Sequence, residues 1–444
     1  MSAMSQPNRL STAGNRRPFM LLVAALVLLA AVLLYRSFYS TGRVTQPAAP
    51  VALERSAPAA AIQAREKAGR NPQDPSALAE LGLTLLQQVR LSGDNTLYAE
   101  AGQAFEQALA SDPKQLYALV GKGVLALSLH DFEGAMQWAQ QAQAVNPFRA
   151  EILGIQVDSL VERGQYDKAV ATLQKMVDLR PDLQSYSRVS YLRELNGDVA
   201  GAIKAMEMAA NSAPVGSEEW LWTMTHLGNL YLNKGELTSA QQLYTQVLQI
   251  KADYPYALTG AARVQAAQGD LLAAINTLKP VVDRLPLPEF VTALGEFYEA
   301  QGDQQAAQRQ YELVGVMQQL NAAAGMNVDL EMALFNANHG ADRGKTLEQA
   351  RLAFSERPTI YGADTLAWAL YGQGDYAQAQ KYSQEALRLG TQDATLYFHA
   401  GLIAAALGDN AAARQQLAKA LEINPAFSPL YAPQAQAKLK ELGQ

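Results

Sequence analysis

The sequence predicts an all-α protein built as a solenoid, and three observations carry that prediction. From Pro75 to Pro425 the chain restarts about every 34 residues: GQYDKAV at Gly164, GDVAGAI at Gly197, GELTSAQ at Gly235, GDLLAAI at Gly269, GDQQAAQ at Gly302, GDYAQAQ at Gly374 and GDNAAAR at Gly408. On either side of each Gly-Asp or Gly-X step, apolar residues recur at helical spacing, which marks two amphipathic helices separated by a turn. Hydrophobic residues make up 49% of the chain and are mostly Ala and Leu, while the β-branched and aromatic runs that build sheets are scarce. The composition does not change over the array, so one continuous stack fits better than several globular units.

Residues 1–18 form a basic tail carrying Arg9, Arg16 and Arg17. Between Arg17 and Arg36 lie 18 residues without a charge. As a helix they would reach roughly 27 Å, close to the hydrocarbon thickness of a bilayer. Residues 19–35, Phe19 to Tyr35, are therefore expected to form a transmembrane anchor helix. A cleaved signal peptide and a buried globular helix are the competing outcomes. The residues after the apolar run, Tyr35-Arg36-Ser37-Phe38-Tyr39, are bulky and charged where cleavage needs small side chains, and the next small-residue candidates near Ala48 and Ala59 lie too far downstream. Three arginines precede the span, whereas Arg36 and Arg43 follow it, so the positive-inside rule favours a cytoplasmic N-terminus. The repeats are then expected outside the cytoplasm, in the periplasm where the cell has one. Residues 36–60, rich in Ala and Pro and without apolar periodicity, suit a semi-extended linker.

Residues 61–425 hold the repeats, about ten helix pairs. In one well-formed unit, Met224-x-x-Leu227-Gly228-x-x-Tyr231 makes one stripe, Ala240-x-x-x-Tyr244-x-x-Val247 the next, and Gly235 lies between them. The last unit has Tyr397, Ala400-Gly401, Ala404, Gly408, Ala413, Leu417 and Ala420, closed by Asn424-Pro425, where proline stops the second helix. This pattern resembles the tetratricopeptide repeat, a family whose units pair a helix A with a helix B and stack into a right-handed α-solenoid. The resemblance also shows where the array departs from the pattern. At 82–101 Gly82 and Ala101 are further apart than the family's spacing, and a longer helix or loop is expected. From 315 to 357 the repeat is degraded, and a longer pair of helices is expected. Residues 426–444 are expected to form a capping helix, which a solenoid needs at its end.

The resemblance implies that helix A residues line the concave groove. Carried over position by position, the groove residues are Tyr117, Arg188, Tyr191, Trp222, His226, Asn229, Asn233, Tyr256, Arg263, Tyr361, Asp364, Trp368, Tyr371, Phe398 and His399, with Glu151, Asp158 and Glu296 beside them. Aromatic and hydrogen-bonding side chains of this kind suit peptide recognition, although the same rings can instead pack between neighbouring helices. Some members of the family clamp a C-terminal carboxylate with Lys, Asn and Arg. Asn229 matches the Asn of that clamp, but Thr225 and Thr259 stand where a basic residue is required, so no clamp is expected. Arg188 and Arg263 are left to meet acidic groups individually.

Catalysis has little support in the sequence. His130, His226, His339 and His399 fall in separate repeats and lack metal-site spacing, and neither a phosphate-binding Gly loop nor a G-x-S-x-G elbow occurs. With no cysteine there is neither a disulfide framework nor a thiolate ligand. No enzyme activity, cofactor or metal is expected. The net charge is −6, and setting aside the five N-terminal arginines leaves 31 basic residues against 42 acids, about −11 beyond Arg43. Such a surface disfavours nucleic acid. The expected function is a membrane-anchored scaffold or assembly factor that binds proteins or peptides in its groove. The alternative is an accessory subunit of an envelope enzyme or transport complex, in cytochrome maturation, polysaccharide export or metal uptake.

Overall fold

The computed structural model describes residues 57–327, 329–340 and 342–443. The basic tail, the expected span at 19–35 and most of the 36–60 linker lie outside the described residues. Among those described there are 22 helices and no strand, and no helix is long and apolar enough to cross a membrane. Helix α1 (Ala57–Arg70) begins three residues before the expected end of the linker, where Ala59, Ala60 and Ala61 favour helix.

Ten helix pairs follow. They are α2/α3 (Pro75–Ser92, Leu97–Ser111), α4/α5 (Leu116–Ser128, Phe132–Val145), α6/α7 (Ala150–Glu162, Tyr166–Leu179), α8/α9 (Leu183–Leu195, Val199–Asn211) and α10/α11 (Glu218–Asn233, Leu237–Ile250). The second five are α12/α13 (Pro255–Ala267, Leu271–Arg284), α14/α15 (Pro288–Gln301, Gln304–Ala323), α16/α17 (Asp329–His339, Arg343–Glu356), α18/α19 (Ile360–Gln373, Tyr376–Ala386) and α20/α21 (Ala394–Ala406, Asn410–Ile423). Helix α22 (Tyr431–Leu442) packs on α21, with Leu439 and Leu442 against the cluster around Phe398 and Leu417.

The Gly-Asp step of the sequence ends one helix and starts the next. At each step the glycine takes a left-handed conformation, and the following backbone N–H reaches back over the last turn: Asp198 N to Arg193 O at 2.9 Å, Asp409 N to Ala404 O at 3.0 Å. The same aspartates then accept from the third backbone N–H of the new helix, Gly201 at 2.9 Å and Ala412 at 3.0 Å. In the first pair the extra residues lengthen α2 to 18. In the degraded stretch the structure corrects the expectation of a longer pair. The added length sits in α15 alone, which runs for 20 residues because no proline interrupts Gln304 to Ala323, while α16 and α17 have 11 and 14.

The array winds through more than one superhelical turn, and successive turns touch. Most hydrogen bonds across the seam fall at separations of 192 to 197 residues, five to six pairs on, and Asn95 to Asn321 adds one at 226. Asn327 N donates to Leu129 O at 3.1 Å, and Ile360 N donates to the Tyr166 hydroxyl at 3.0 Å. The Thr391 hydroxyl donates to Leu195 O, and Asn424 Nδ2 donates to Leu232 O at 2.9 Å. Arg357 from the second turn bonds Glu162 of the first at 2.7 Å, as well as Glu331 at 2.6 Å. Ile360 and Leu396 enter the apolar cluster of Leu153, Val157, Leu160 and Leu195, so the seam is packed as well as hydrogen-bonded. Two turn glycines are doubly constrained by it. Gly164 and Gly197 have φ of 65° and 76°, and a Cβ on either would collide with the carbonyl oxygen of Pro358 or Gly390. His130 occupies the equivalent position with φ 60°, and its Nδ1 meets Asn327 O across the seam.

Candidate functional site

The first helix of each pair presents the residues assigned to the groove, and these divide into two groups. On the first turn, Tyr117 of α4, Tyr191 of α8 and Trp222 of α10 keep 49%, 39% and 37% of their surface exposed. Burial nevertheless pushes the Tyr191 phenol above the usual range, with Glu162, Tyr166 and Glu194 adding to the effect. Trp222 stacks on His226 at 3.8 Å, and the His226 Nδ1 faces Trp222 O at 3.0 Å. Desolvation lowers the His226 pKa, which keeps the imidazole neutral near pH 7. The guanidinium of Arg149 sits 5.4 Å from the Tyr117 ring centre and pairs with Glu151.

Several polar groove residues are already engaged. Arg188 forms a two-pronged pair with Asp158, at 2.8 and 2.6 Å, so its charge is spent within the wall. Asn229 accepts from the Tyr244 hydroxyl at 2.7 Å, which removes it from any clamp. Tyr256 is half-buried against Tyr254 and, edge-on, Phe290. Arg263 is exposed and makes no ion pair among the described residues.

On the second turn the aromatic residues pack on one another. Trp368 is stacked between Tyr371 at 4.7 Å and His399 at 4.1 Å, and its Nε1 donates to Asn338 Oδ1 at 2.9 Å. Phe398 and His399 are fully buried, Phe398 against Phe427 and Tyr431. The Nδ1 of His399 bonds Asp364 at 2.9 Å, while His399 Nε2 and Asp364 Oδ1 have no hydrogen-bond partner among the described residues. These side chains shape the wall from behind. The remaining histidine, His339, stacks on Tyr311 at 4.3 Å beside Glu296 and Glu299. Among the described residues no group of three or more His, Asp or Glu side chains is placed to hold a metal.

Where the two turns meet, a cavity of about 170 Å³ opens. It brings the predicted groove residues Asn233 and Tyr361 together with Glu194, Asp393, Asn424 and Phe427. Burial pushes Glu194 up to about 7, against a partial offset from Asn233, and Asp393 adds to the rise. Asp393 is raised by burial too, and further by Asp364. Tyr361 is raised well above the usual phenol range by burial, with Asp393, Tyr191 and Glu194 contributing. Sequence reasoning missed Glu194, Asp393 and Asn424 because they occupy helix ends and junctions, not the helix A stripe. Only the winding of the array brings these positions to the cavity.

Comparison with known proteins places the repeats. Residues 93–150, 156–216 and 365–428 match a family model described as "Tetratricopeptide repeat", and residues 231–296 match a second model of the same description. A curated relative, the cellulose synthase 1 operon protein C of Komagataeibacter xylinus, is 24% identical over 318 residues. The match covers 71% of this chain and 19% of the relative, so the chain spans about a fifth of that protein's length. Among solved structures, the human IFIT1 dimer with PPP-AAAA aligns over 71% of this chain and 73% of its own, at 17% identity and a TM-score of 0.47. A thermophilic tetratricopeptide protein of Thermus thermophilus aligns over 43% and 98%, at 20% identity and a TM-score of 0.38.

Proposed function

Because the chain belongs to the tetratricopeptide repeat family, we propose that it is a scaffold that holds a protein or peptide partner along the inner wall of its first superhelical turn. The observation that carries this reading is the row of exposed rings, Tyr117, Tyr191 and Trp222, on helices α4, α8 and α10. Large rigid side chains offer contact area at small entropic cost, and these three are not consumed by the core. The proposal includes anchoring through residues 19–35 with the repeats outside the cytoplasm, which would raise the effective concentration of scaffold and partner at one membrane. Cross-linking the full chain in cells, followed by mass spectrometry, tests the reading: Tyr191→Ala/Trp222→Ala should lose the captured protein. Capture that is indifferent to both changes would remove the inner wall from the account.

A second reading has a specific observation in its favour. The likeness to the cellulose synthase 1 operon protein C supports an accessory role in polysaccharide export. Co-purification with an integral membrane complex would favour this accessory role over a free scaffold.

A further inference from the structure

We propose that the cavity between the two turns accepts one organic cation, the ammonium or guanidinium end of a lysine or arginine side chain carried by the partner. This rests on the protein-binding reading for the source of the cation, but the cavity's chemistry stands on its own geometry. Glu194 comes from the end of α8 on the first turn and Asp393 from the start of α20 on the second, and among the described residues no Lys or Arg lines the space they share. The basic residues that flank it in sequence are committed elsewhere, Arg193 to Asp198 at 2.9 Å and Lys234 to Glu236.

The seam uses up the other polar groups. The Thr391 hydroxyl donates to Leu195 O, while Asn424 donates to Leu232 O and accepts from Ala426 N at 2.9 Å. Asp393 caps α20 by accepting from Thr395 N at 2.8 Å, and the Thr395 side chain bonds it as well. Behind it lies Asp364, almost fully buried, with Oδ1 unpartnered among the described residues and its charge acting on Asp393. Negative charge in a part-buried space without a counter-charge is costly. The raised pKa values of Glu194 and Asp393 express that cost. An ammonium supplies the missing counter-charge, donates N–H bonds to the carboxylates, and lays its alkyl stem among the rings of Tyr361 and Phe427 that line the same space. The titratable groups facing Glu194 are Asp393, Tyr361 and Tyr191, with neutral Asn233 beside them. Ionising Glu194 should therefore strengthen cation binding as pH rises through about 7.

The test is ligand-observed NMR titration of the full chain with Nα-acetyl-lysine amide, its uncharged analogue Nα-acetyl-norleucine amide, which lacks the terminal ammonium, and n-butylamine. Saturable binding of the lysine amide is expected, with a Kd on the order of 1–10 mM for so small a ligand, and none of the norleucine amide. Binding should tighten from pH 6 to pH 8. Glu194→Gln/Asp393→Asn, which keeps a capping side chain at 393, should weaken it at least ~10-fold, the loss of one charge-assisted hydrogen bond. Equal binding of the norleucine amide, unchanged binding by the variant, or no saturable binding of the lysine amide would each overturn the proposal. Binding of n-butylamine alone would assign the cavity to small free amines and overturn the partner side chain as source. Failure of the wall cross-linking with a positive titration would sink the scaffold reading and spare the cavity, while the reverse pattern would do the opposite.

Discussion

Leu195 and Thr391 are 196 positions apart in sequence, yet the threonine hydroxyl donates a hydrogen bond to the leucine carbonyl. That bond belongs to a seam along which the second turn of the superhelix rests on the first. It fixes the geometry of the inner wall, because sliding one turn past the other would break a row of evenly spaced contacts together.

Turn glycines separate the cost of the left-handed backbone from the cost of the seam. Gly408 has φ 81° and open space around it, so Gly408→Ala should cost ~1–2 kcal/mol. Gly197→Ala meets the Gly390 carbonyl as well, and should lose a further ~1–3 kcal/mol from overpacking. Urea unfolding of the two variants measures the difference, and equal losses would mean that the seam contributes nothing at this point.

Arg357 ties the turns electrostatically through Glu162 and lies with its guanidinium 5.2 Å from the Phe132 ring centre. Arg357→Met should destabilise by ~1–3 kcal/mol, since it leaves half-buried Glu162 without its cation. Adding Glu162→Gln should recover part of that loss, and a double variant no better than the single one would argue against the pair.

Glu194 makes stability fall as pH rises. Its carboxyl titrates near 7 in the folded chain against 4.5 when unfolded, so the folded state holds the extra proton between those values. The folded state is favoured fully below about 4.5, and that advantage is lost as pH climbs through about 7. Glu194→Gln should therefore raise stability at pH 8 by on the order of 1–2 kcal/mol while changing it little at pH 4. Thermal melts at the two pH values check this, and a gain at pH 4 only would reverse the sign.

Two of the array's four tryptophans, Trp222 and Trp368, should respond differently. Trp368 is held between Tyr371 and His399, so Trp368→Ala should cost ~3–5 kcal/mol. Trp222 is partly exposed and should lose ~1 kcal/mol or less on truncation while weakening partner capture. Chemical denaturation followed by circular dichroism distinguishes the two, and similar losses would place Trp222 in the core.

The helix pairs were legible in the sequence because each depends on local chemistry. The Gly-Asp step encodes a left-handed stop and an N-cap within two residues, as Gly408 and Asp409 show. The groove stripe was legible as a set of positions but not as an exposure pattern. Tyr191 and His399 are both groove-assigned residues of a first helix, yet the first meets solvent and the second is sealed between Trp368 and Phe398. That difference arises from packing on the second turn, including the cap residues Phe427 and Tyr431 against Phe398. The cavity at Glu194 and Asp393 was not legible at all. Superhelical pitch decides which residues meet across about 195 positions, and pitch is the sum of many small inter-repeat angles that no single motif encodes.

The most direct test of the central claim is site-specific photo-cross-linking of the full chain in cells. The probe is placed at Trp222 on the inner wall and, for comparison, at Val170, exposed on α7, a second helix of its pair. The account predicts a discrete cross-linked protein at Trp222, lost in Tyr191→Ala, and none at Val170. A product at Val170 with none at Trp222 would contradict it.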